Sequence, residues 1–344
     1  MAVVANAGTV QGASTAIRGV GLLALACLLL LAIMGGLAVG TRALAPDLIW
    51  RALWRPDGGR DAVIVWQLRL PRTIVGAVVG AALGVAGALM QALARNPLAD
   101  PGLLGVNAGA ALAVVLGIAF GGAGGLSDCV GLALIGAATA AGGVFMLDRI
   151  APAGRGEVHL VLTGAAVSAS IHACTGILAL SDSATFDSYR FWVLGSLNRP
   201  APAGLWAIGV VMAGAMALAM PLGGRLNTMA LGDDLVRSLG VRVFRMRAVS
   251  FVGVVVLCGC ATAIAGPISF VGLVVPHLAR FAIGPDWRWI LPYSALIGAT
   301  LLIVSDLIGR IGAPPGELEV GIVTAFIGAP LLLWLVARRP GADR

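Results

Sequence analysis

Side chains that could carry out covalent chemistry or hold a metal are sparse in this sequence. The three histidines, His159, His172 and His277, are spread over more than a hundred residues, and no Cys-x-x-Cys pair occurs. Neither a metal-ligand cluster nor a nucleophile beside a base is recognisable, so a hydrolase would have little to work with. We therefore predict that this chain has no catalytic residue and no metal site, and that it binds no cofactor.

The basic residues exclude a further kind of chemistry. All 23 of them are arginine, whereas a P-loop requires a lysine on the phosphates of a nucleotide. If this protein uses ATP, the ATPase must be a separate polypeptide. The five cysteines lie in or beside apolar runs and are interpreted as small packing residues: Cys27, Cys129, Cys174, Cys258 and Cys260.

Long apolar runs dominate the chain. Of its 344 residues, 59% are hydrophobic and 11% are charged, against about 25% charged residues in a soluble domain. Runs such as 20–40, 73–93 and 204–224 approach or exceed the roughly 20 residues that cross a bilayer as a helix. The 49 glycines suit close helix packing in lipid. The sequence predicts an all-α polytopic membrane protein.

About ten spans are expected, at roughly 20 residues per crossing. An even number puts both termini on one side, which the larger share of arginines assigns to the cytoplasm. The first run is too long for the core of a signal peptide and is interpreted as the first span. Gly266, Pro267 and Pro276 predict broken or short helices near them. The predicted spans are roughly 17–40, 71–93, 101–120, 126–148, 158–180, 202–221, 247–266, 270–283, 289–311 and 317–337.

One polar segment, "LNTMALGDDLVRSLGVRVFRMR" (226–247), contrasts with these runs. Asp233 and Asp234 stand where acids complement the start of a helix dipole, and Gly240 is placed to end the helix. Three leucines at i, i+4 and i+8 share one face of it: Leu231, Leu235 and Leu239. The segment is either a membrane-surface helix or plain connector, or a docking element for a cytoplasmic partner.

Other polar stretches also allow two interpretations. "RNPLADPGLLG" (95–105) is a tight turn between helices or a gate at the inner mouth of a pathway. "RLPR" (69–72) anchors lipid headgroups or contacts an external partner, with Pro71 at a favoured first-turn position. Asp306 and Arg310, at i and i+4, are predicted to pair at the end of a span.

The positions of the acidic residues bear on how transport is driven. Ion-driven carriers place acids within their spans, whereas almost every acid here falls at a span end or in a loop. The residues therefore indicate a transport protein without its own energy source. An ion-driven secondary carrier working alone and a membrane enzyme are the competing classes.

Several ordered stretches resemble a known family. They are "RLPR", "GALMQALARNPLADPGLLGVNAGA", "FWVLGSL", "LGDDLVRSLGV", "GPISFVGLVVPHLAR" and "ELEVGIVTAFIGAPLLLWLV". Together they resemble the FecCD-type permease subunits of binding-protein-dependent ABC importers for ferric siderophores, haem and cobalamin. The resemblance implies a type II ABC importer permease fold of ten helices, with 1–344 forming one permease domain in the cytoplasmic (inner) membrane.

The resemblance also implies partners. These are a second permease subunit in a homo- or heterodimer, two cytoplasmic ATPase subunits that hold ATP and Mg, an extracytoplasmic substrate-binding protein and the surrounding membrane lipid. No nucleic acid is expected.

Residue roles follow from the same resemblance. The loop 222–247 matches the family's coupling helices, through Leu231, Gly232, Asp233, Asp234, Leu235, Leu239 and Gly240. Binding-protein docking falls on Arg69, Arg72 and Arg310, and the cytoplasmic gate falls on Asn96 and Leu98. The second gate element corresponds to "GRGEVH" (154–159), which lacks the expected hydroxyl residues and receives no gate residue.

The cargo is indicated by "ATFDSYRFWVLGSLNRP" (184–200), which resembles the siderophore branch more than the haem or cobalamin branches. Tyr189 and Arg190 could meet an anionic, aromatic chelate by stacking and charge, or could anchor a helix end. His172 lies in the fifth predicted span, as a substrate-path residue or a packing residue.

Overall fold

The computed structural model describes residues 15–40, 44–54, 59–121, 129–150, 156–198, 205–230, 236, 243–313 and 316–337. These residues are helical or lie in short connections, and no strand occurs among them. The helices are α1 Thr15–Ala38, α2 Pro46–Trp54, α3 Arg60–Leu93, α4 Val106–Gly121, α5 Val130–Ile150, α6 Gly156–Leu180, α7 Ser183–Val193, α8 Leu205–Met229, α9 Val243–Ala265, α10 Val271–Ile283, α11 Trp287–Gly312 and α12 Val320–Ala337.

Ten of these helices are apolar. Seven are long and apolar enough to cross a membrane, namely α1, α3, α5, α6, α8, α9 and α11, and three shorter ones, α4, α10 and α12, complete the set. Each falls on one of the ten predicted spans, so the predicted fold class is confirmed. The helices α2 and α7 are additional short elements in the connections after the first and fifth spans.

Helix α3 forms the centre of the fold. It packs against α9, α10 and α11, and 72% of its most apolar stretch of 18 residues is buried. Glycines allow this close packing, because a Cβ on Gly80 would collide with the backbone of Gly298, and one on Gly298 would collide with that of Gly80. Small residues are what let helix backbones approach in a membrane.

The start of α3 differs from the prediction. The "RLPR" stretch does not begin the helix, since α3 starts at Arg60 and passes through a π turn at Ile64–Arg69. The N–H of Leu70 bonds to the carbonyl of Val65. Pro71 therefore follows a change of hydrogen-bond register, which accommodates a residue that has no N–H to donate.

A break separates α9 from α10, as the sequence predicts. Residues 266–270 are not helical, and Gly266 and Phe270 have left-handed φ angles of 76° and 68°. Pro276, in contrast, lies inside α10 and does not end it. The break brings the α9 end against the segment after α7, where the Ser196 N–H donates to the Ala265 carbonyl at 2.7 Å.

Candidate functional site

Arg72 and Asp306 are at the centre of a cluster of charges that joins α3 to α11. The Nε and Nη2 atoms of Arg72 lie 3.0 Å and 2.7 Å from Oδ1 of Asp306. Its Nη1 donates to Oε2 of Glu317 at 2.7 Å. The side chains of Arg72 and Asp306 are 12% and 5% exposed. Asp306 also accepts a hydrogen bond from Arg310, so the predicted i, i+4 pair is confirmed.

The other two predicted docking arginines hold the end of α1. Nη1 of Arg69 donates to two carbonyls and Nη1 of Arg310 donates to two others, all in or just after the last turn of that helix. The last carbonyls of a helix have no partner within it, and cations are stabilised at this end of the dipole. The distances are 2.6 Å to Leu37 and 2.9 Å to Ala38 from Arg69, and 2.8 Å to Gly36 and 3.1 Å to Val39 from Arg310.

The structure therefore brings Arg69, Arg72 and Arg310 to one end of the bundle, beside two acids. Arg69 and Arg310 are each only 6% exposed. Both guanidinium groups donate to backbone carbonyls of this chain, and that of Arg310 also donates to Asp306. Arg72 is bonded on both sides to carboxylates. Docking of a partner by these arginines stays a prediction.

The predicted gate residues lie in the turn that follows α3. Oδ1 of Asn96 accepts the N–H of Leu98 at 2.9 Å, and its carbonyl accepts the N–H of Ala99 at 3.1 Å. Asn96 is exposed and Leu98 is 48% exposed. The side-chain bond makes an Asx turn, which fixes the backbone locally, and it leaves the Leu98 side chain projecting from the surface.

Asp100 continues this turn and caps the one-turn helix Pro101–Leu104. Its Oδ1 accepts the N–H of Gly102 at 2.7 Å. Burial of the carboxylate raises the pKa of Asp100, and the Gly102 hydrogen bond opposes that rise only in part. Near this turn, at the start of α4, Oδ1 of Asn107 accepts a hydrogen bond from Oγ1 of Thr262 at 2.8 Å.

The three predicted path residues do not form one site. His172 is exposed on α6, whereas Tyr189 and Arg190 belong to α7. Arg190 pairs with Asp187 at 3.2 Å, with more than half of both side chains exposed, and its guanidinium lies 5.1 Å from the ring centre of Phe191. Within the described chain, no hydrogen bond or ion pair joins His172 to the two α7 residues.

The predicted coupling residues lie outside the described residues. They are Leu231, Gly232, Asp233, Asp234, Leu235, Leu239 and Gly240. Among 230–242, the structure describes Ala230 and Val236, and Val236 is fully buried. The flanking elements are clear, since α8 ends at Met229 and α9 begins at Val243.

A polar cluster that was not predicted from the sequence lies close to the start of α11. Asp286 caps that helix, accepting from the Arg288 N–H at 3.0 Å, from Nδ2 of Asn227 at 2.7 Å and from Arg18 at 3.2 Å. Oδ1 of Asn227 accepts the N–H of Trp287. The signal was present, because an aspartate directly before an apolar helical run is a typical N-cap.

These bonds set the charge state of Asp286. Burial alone would raise the pKa of this carboxyl, but the bonds from Asn227 and the Arg288 amide, together with Arg18, outweigh burial and hold the pKa below its ordinary value. The cluster therefore favours an ionised Asp286 that ties α1, α8 and α11 together.

Ten apolar helices with polar clusters at their ends are the features of a membrane transport protein. Across the described ranges, no group of three or more His, Cys, Asp or Glu residues could hold a metal ion. The sequence model of the FecCD transport family matches residues 28–338. The chain belongs to this family and is a membrane permease of an ABC transporter.

Individual relatives agree with this assignment. The ferric enterobactin transport system permease protein FepD of Escherichia coli (strain K12) is 42% identical over 96% of this chain and 98% of its own length. The hemin transport system permease protein HmuU of Yersinia pestis is 38% identical over 88% of this chain and 92% of its own. A solved structure described as an inward-facing conformation of a metal-chelate type ABC transporter superposes with a TM-score of 0.83, at 28% identity, over 93% of this chain and 100% of its own.

Proposed function

We propose that this chain carries ferric siderophores across the cytoplasmic membrane, as one permease subunit of an ATP-driven importer. The observation that carries the proposal is the 42% identity to the ferric enterobactin permease over nearly the whole of both chains. Its apolar helices supply the membrane path, and the chain itself carries out no covalent chemistry. The segment 184–200, which resembles the siderophore branch, contains all of α7 except its first residue, Ser183.

The proposed assembly has three further kinds of chain. A second permease subunit, the same or different, completes the path. Two cytoplasmic ATPase subunits bind ATP and Mg, and an extracytoplasmic binding protein delivers the chelate. When ATP closes the ATPase pair, the motion passes to the two permease subunits, which alternate between outward and inward access.

The polar regions receive roles in this cycle. Both termini are proposed to be cytoplasmic, which puts the gate turn with Asn96 and Leu98 and the segment 231–240 on the ATPase side. Leu231, Leu235 and Leu239 are proposed to take part in docking to an ATPase subunit there. His172, Tyr189 and Arg190 are assigned to the substrate path only as separate contacts along it.

At the opposite end, Arg69, Arg72 and Arg310 are proposed to serve the binding protein. Arg72 is the direct candidate, because a glutamate on the partner could replace Glu317, whose side chain is 27% exposed. Arg69 and Arg310 would support that surface by holding the end of α1 in place. Charge pairs of this kind increase the rate of oriented encounter more than raw affinity.

Haem is the second candidate cargo, because a hemin permease is 38% identical to this chain. Cobalamin is a third branch of the same family resemblance. The three cargoes differ in size and charge but require the same architecture.

Uptake in a deletion strain tests the cargo. Cells lacking this permease would receive labelled iron as ferric siderophores, labelled haem or labelled cobalamin under iron limitation. We expect loss of siderophore-iron uptake alone, restored by the wild-type chain. Normal siderophore uptake with loss of haem or cobalamin uptake would overturn the choice of cargo.

The same strain tests the coupling segment. The Asp233→Ala/Asp234→Ala variant should reach the membrane at the wild-type level but fail to restore uptake. Asp47→Ala is the control, because it removes an exposed acid from α2, which carries none of the proposed roles. Full uptake by the double variant would remove the proposed coupling role of the aspartate pair.

A further inference from the structure

An apolar groove opens between α8 and α9. Its volume is about 530 Å³, and every residue that lines it is glycine, alanine, valine or leucine. Its floor is Leu89 of α3, which is fully buried. Its walls include Leu218 and Val252, which are 73% and 58% exposed. The groove is therefore open along one side of the helix bundle.

Missing side-chain volume creates the groove. A Cβ on Gly214 of α8 would meet nothing within 4 Å, and one on Gly253 of α9 would lie 3.1 Å from Cδ1 of Leu89. The α8 wall runs from Val211 to Leu222, which is about 16 Å at the rise of a helix. This is roughly half of the 30 Å hydrocarbon core, the depth of one leaflet.

Two arginines lie about one helical turn along the chain from lining residues at one end of the groove. Arg225 is three residues beyond the lining residue Leu222, and Arg245 is four residues before the lining residue Val249, on the same helix face. Both arginines are exposed. In the part of the chain that the structure describes, neither forms an ion pair with a carboxylate.

We propose that this groove binds a phospholipid of net negative charge, with an acyl chain between α8 and α9 and the headgroup phosphate on Arg225 and Arg245. The occupant follows from the combination of an apolar slot one leaflet long and two guanidinium groups near one of its ends. Guanidinium groups bind phosphate oxygens through charge-assisted, bidentate hydrogen bonds. The bilayer around the spans supplies this ligand at high local concentration.

Native mass spectrometry of the full chain, purified in mild detergent and delipidated, tests the site. Phosphatidylglycerol, phosphatidylcholine and inorganic phosphate would be titrated separately. We expect one saturable phosphatidylglycerol, weaker phosphatidylcholine binding and no effect of inorganic phosphate. Saturable binding of inorganic phosphate alone, or equal affinity for both lipids, would overturn the proposal.

Paired variants locate the site. Arg225→Gln/Arg245→Gln should weaken phosphatidylglycerol binding by roughly twentyfold, since each arginine near the membrane surface contributes about a fivefold factor. Arg51→Gln/Arg60→Gln is the matched control, because it removes two exposed arginines from α2 and α3. This control should leave the affinity unchanged.

A second pair fills the groove itself. Gly214→Leu should abolish retention of the lipid, whereas Gly209→Leu should not. Both glycines lie on α8 with nothing within 4 Å of an added Cβ, but only Gly214 lines the groove. Equal lipid affinity in the two variants, or a change of oligomeric mass specific to Gly214→Leu, would show that a lipid does not occupy the groove. If Gly214→Leu does not fold, the arginine pair decides the question.

Discussion

Arg72 and Asp306 are 234 positions apart in the chain, yet they form a two-donor ion pair between α3 and α11. Asp306 also accepts from Arg310, and Arg72 also reaches Glu317. Asp306 thus bridges two guanidinium groups, and Glu317 supplies the second negative charge of the cluster. Removing the Asp306 carboxylate leaves both cations without their main partner, which is the costly way to break a buried pair.

The first prediction concerns this carboxylate. Asp306→Ala should lower the free energy of unfolding by about 3 kcal/mol or more, because an uncompensated buried charge remains. The thermal midpoint of the purified chain in detergent measures the change. Asp187→Ala, which breaks an exposed pair with Arg190, should cost about 0.5 kcal/mol. Equal losses in the two variants would mean that the Asp306 cluster contributes no more than a surface pair.

Part of this cluster could be predicted from the sequence. The pair of Asp306 with Arg310 follows from a helical spacing of four, which is a local property. The pair with Arg72 depends on the register of α3 against α11, and that register is set by backbone contacts such as Gly80 with Gly298. Spacing along one chain segment contains no information about such a register.

The spans were predictable because the length of an apolar run is a local property of the sequence. All ten apolar helices fall on the spans predicted from such runs. The burial of Arg69 was not predictable, because its acceptors are the carbonyls of Leu37 and Ala38. Unpaired carbonyls are a property of every helix end, and only the fold decides which cation reaches them. The "RLPR" pattern could therefore locate the arginines but not their partners.

The second prediction tests the contact that sets this register. Gly80→Ala should destabilise the chain by about 1–3 kcal/mol, because its methyl group would be forced against the backbone of Gly298. Gly209→Ala has open space around its Cβ and should stabilise α8 by about 0.5–1 kcal/mol through helix propensity. Thermal unfolding of both variants in the same detergent shows whether each substitution raises or lowers the stability. Stabilisation by both substitutions would contradict the close approach of α3 and α11.

The third prediction concerns pH and Asp286. Its pKa in the folded chain lies below the ordinary value of 3.8, so its contribution to stability is present above that value and is lost as the pH falls through the lower folded pKa. The stability advantage of the wild-type chain over Asp286→Asn should be full near neutral pH and disappear under more acidic conditions. Melting curves between neutral and strongly acidic pH measure this difference.

The contribution of Asp100 to stability should depend on pH in the opposite direction. Burial raises the pKa of Asp100, so its favourable contribution is complete below the ordinary value and is lost as the pH rises through the folded pKa. Asp100→Asn should therefore gain stability relative to the wild-type chain as the pH rises, while its amide oxygen can still accept the Gly102 N–H. If stability relative to the wild-type chain changed with pH in the same direction for Asp286→Asn and Asp100→Asn, the environments assigned to the two aspartates would be contradicted.

The last prediction separates stability from transport at the gate turn. Asn96→Ala removes the hydrogen bond to the Leu98 N–H, and because both residues are exposed, the free energy of unfolding should fall by no more than about 1 kcal/mol. Transport should fall much further if this turn opens and closes the path, since the Asx turn fixes the backbone that carries Leu98. Asn96→Asp keeps an acceptor at the same position and should retain most uptake. Uptake would be measured at matched membrane levels of the variants. If Asn96→Ala transported as well as the wild-type chain, the gate assignment would be contradicted.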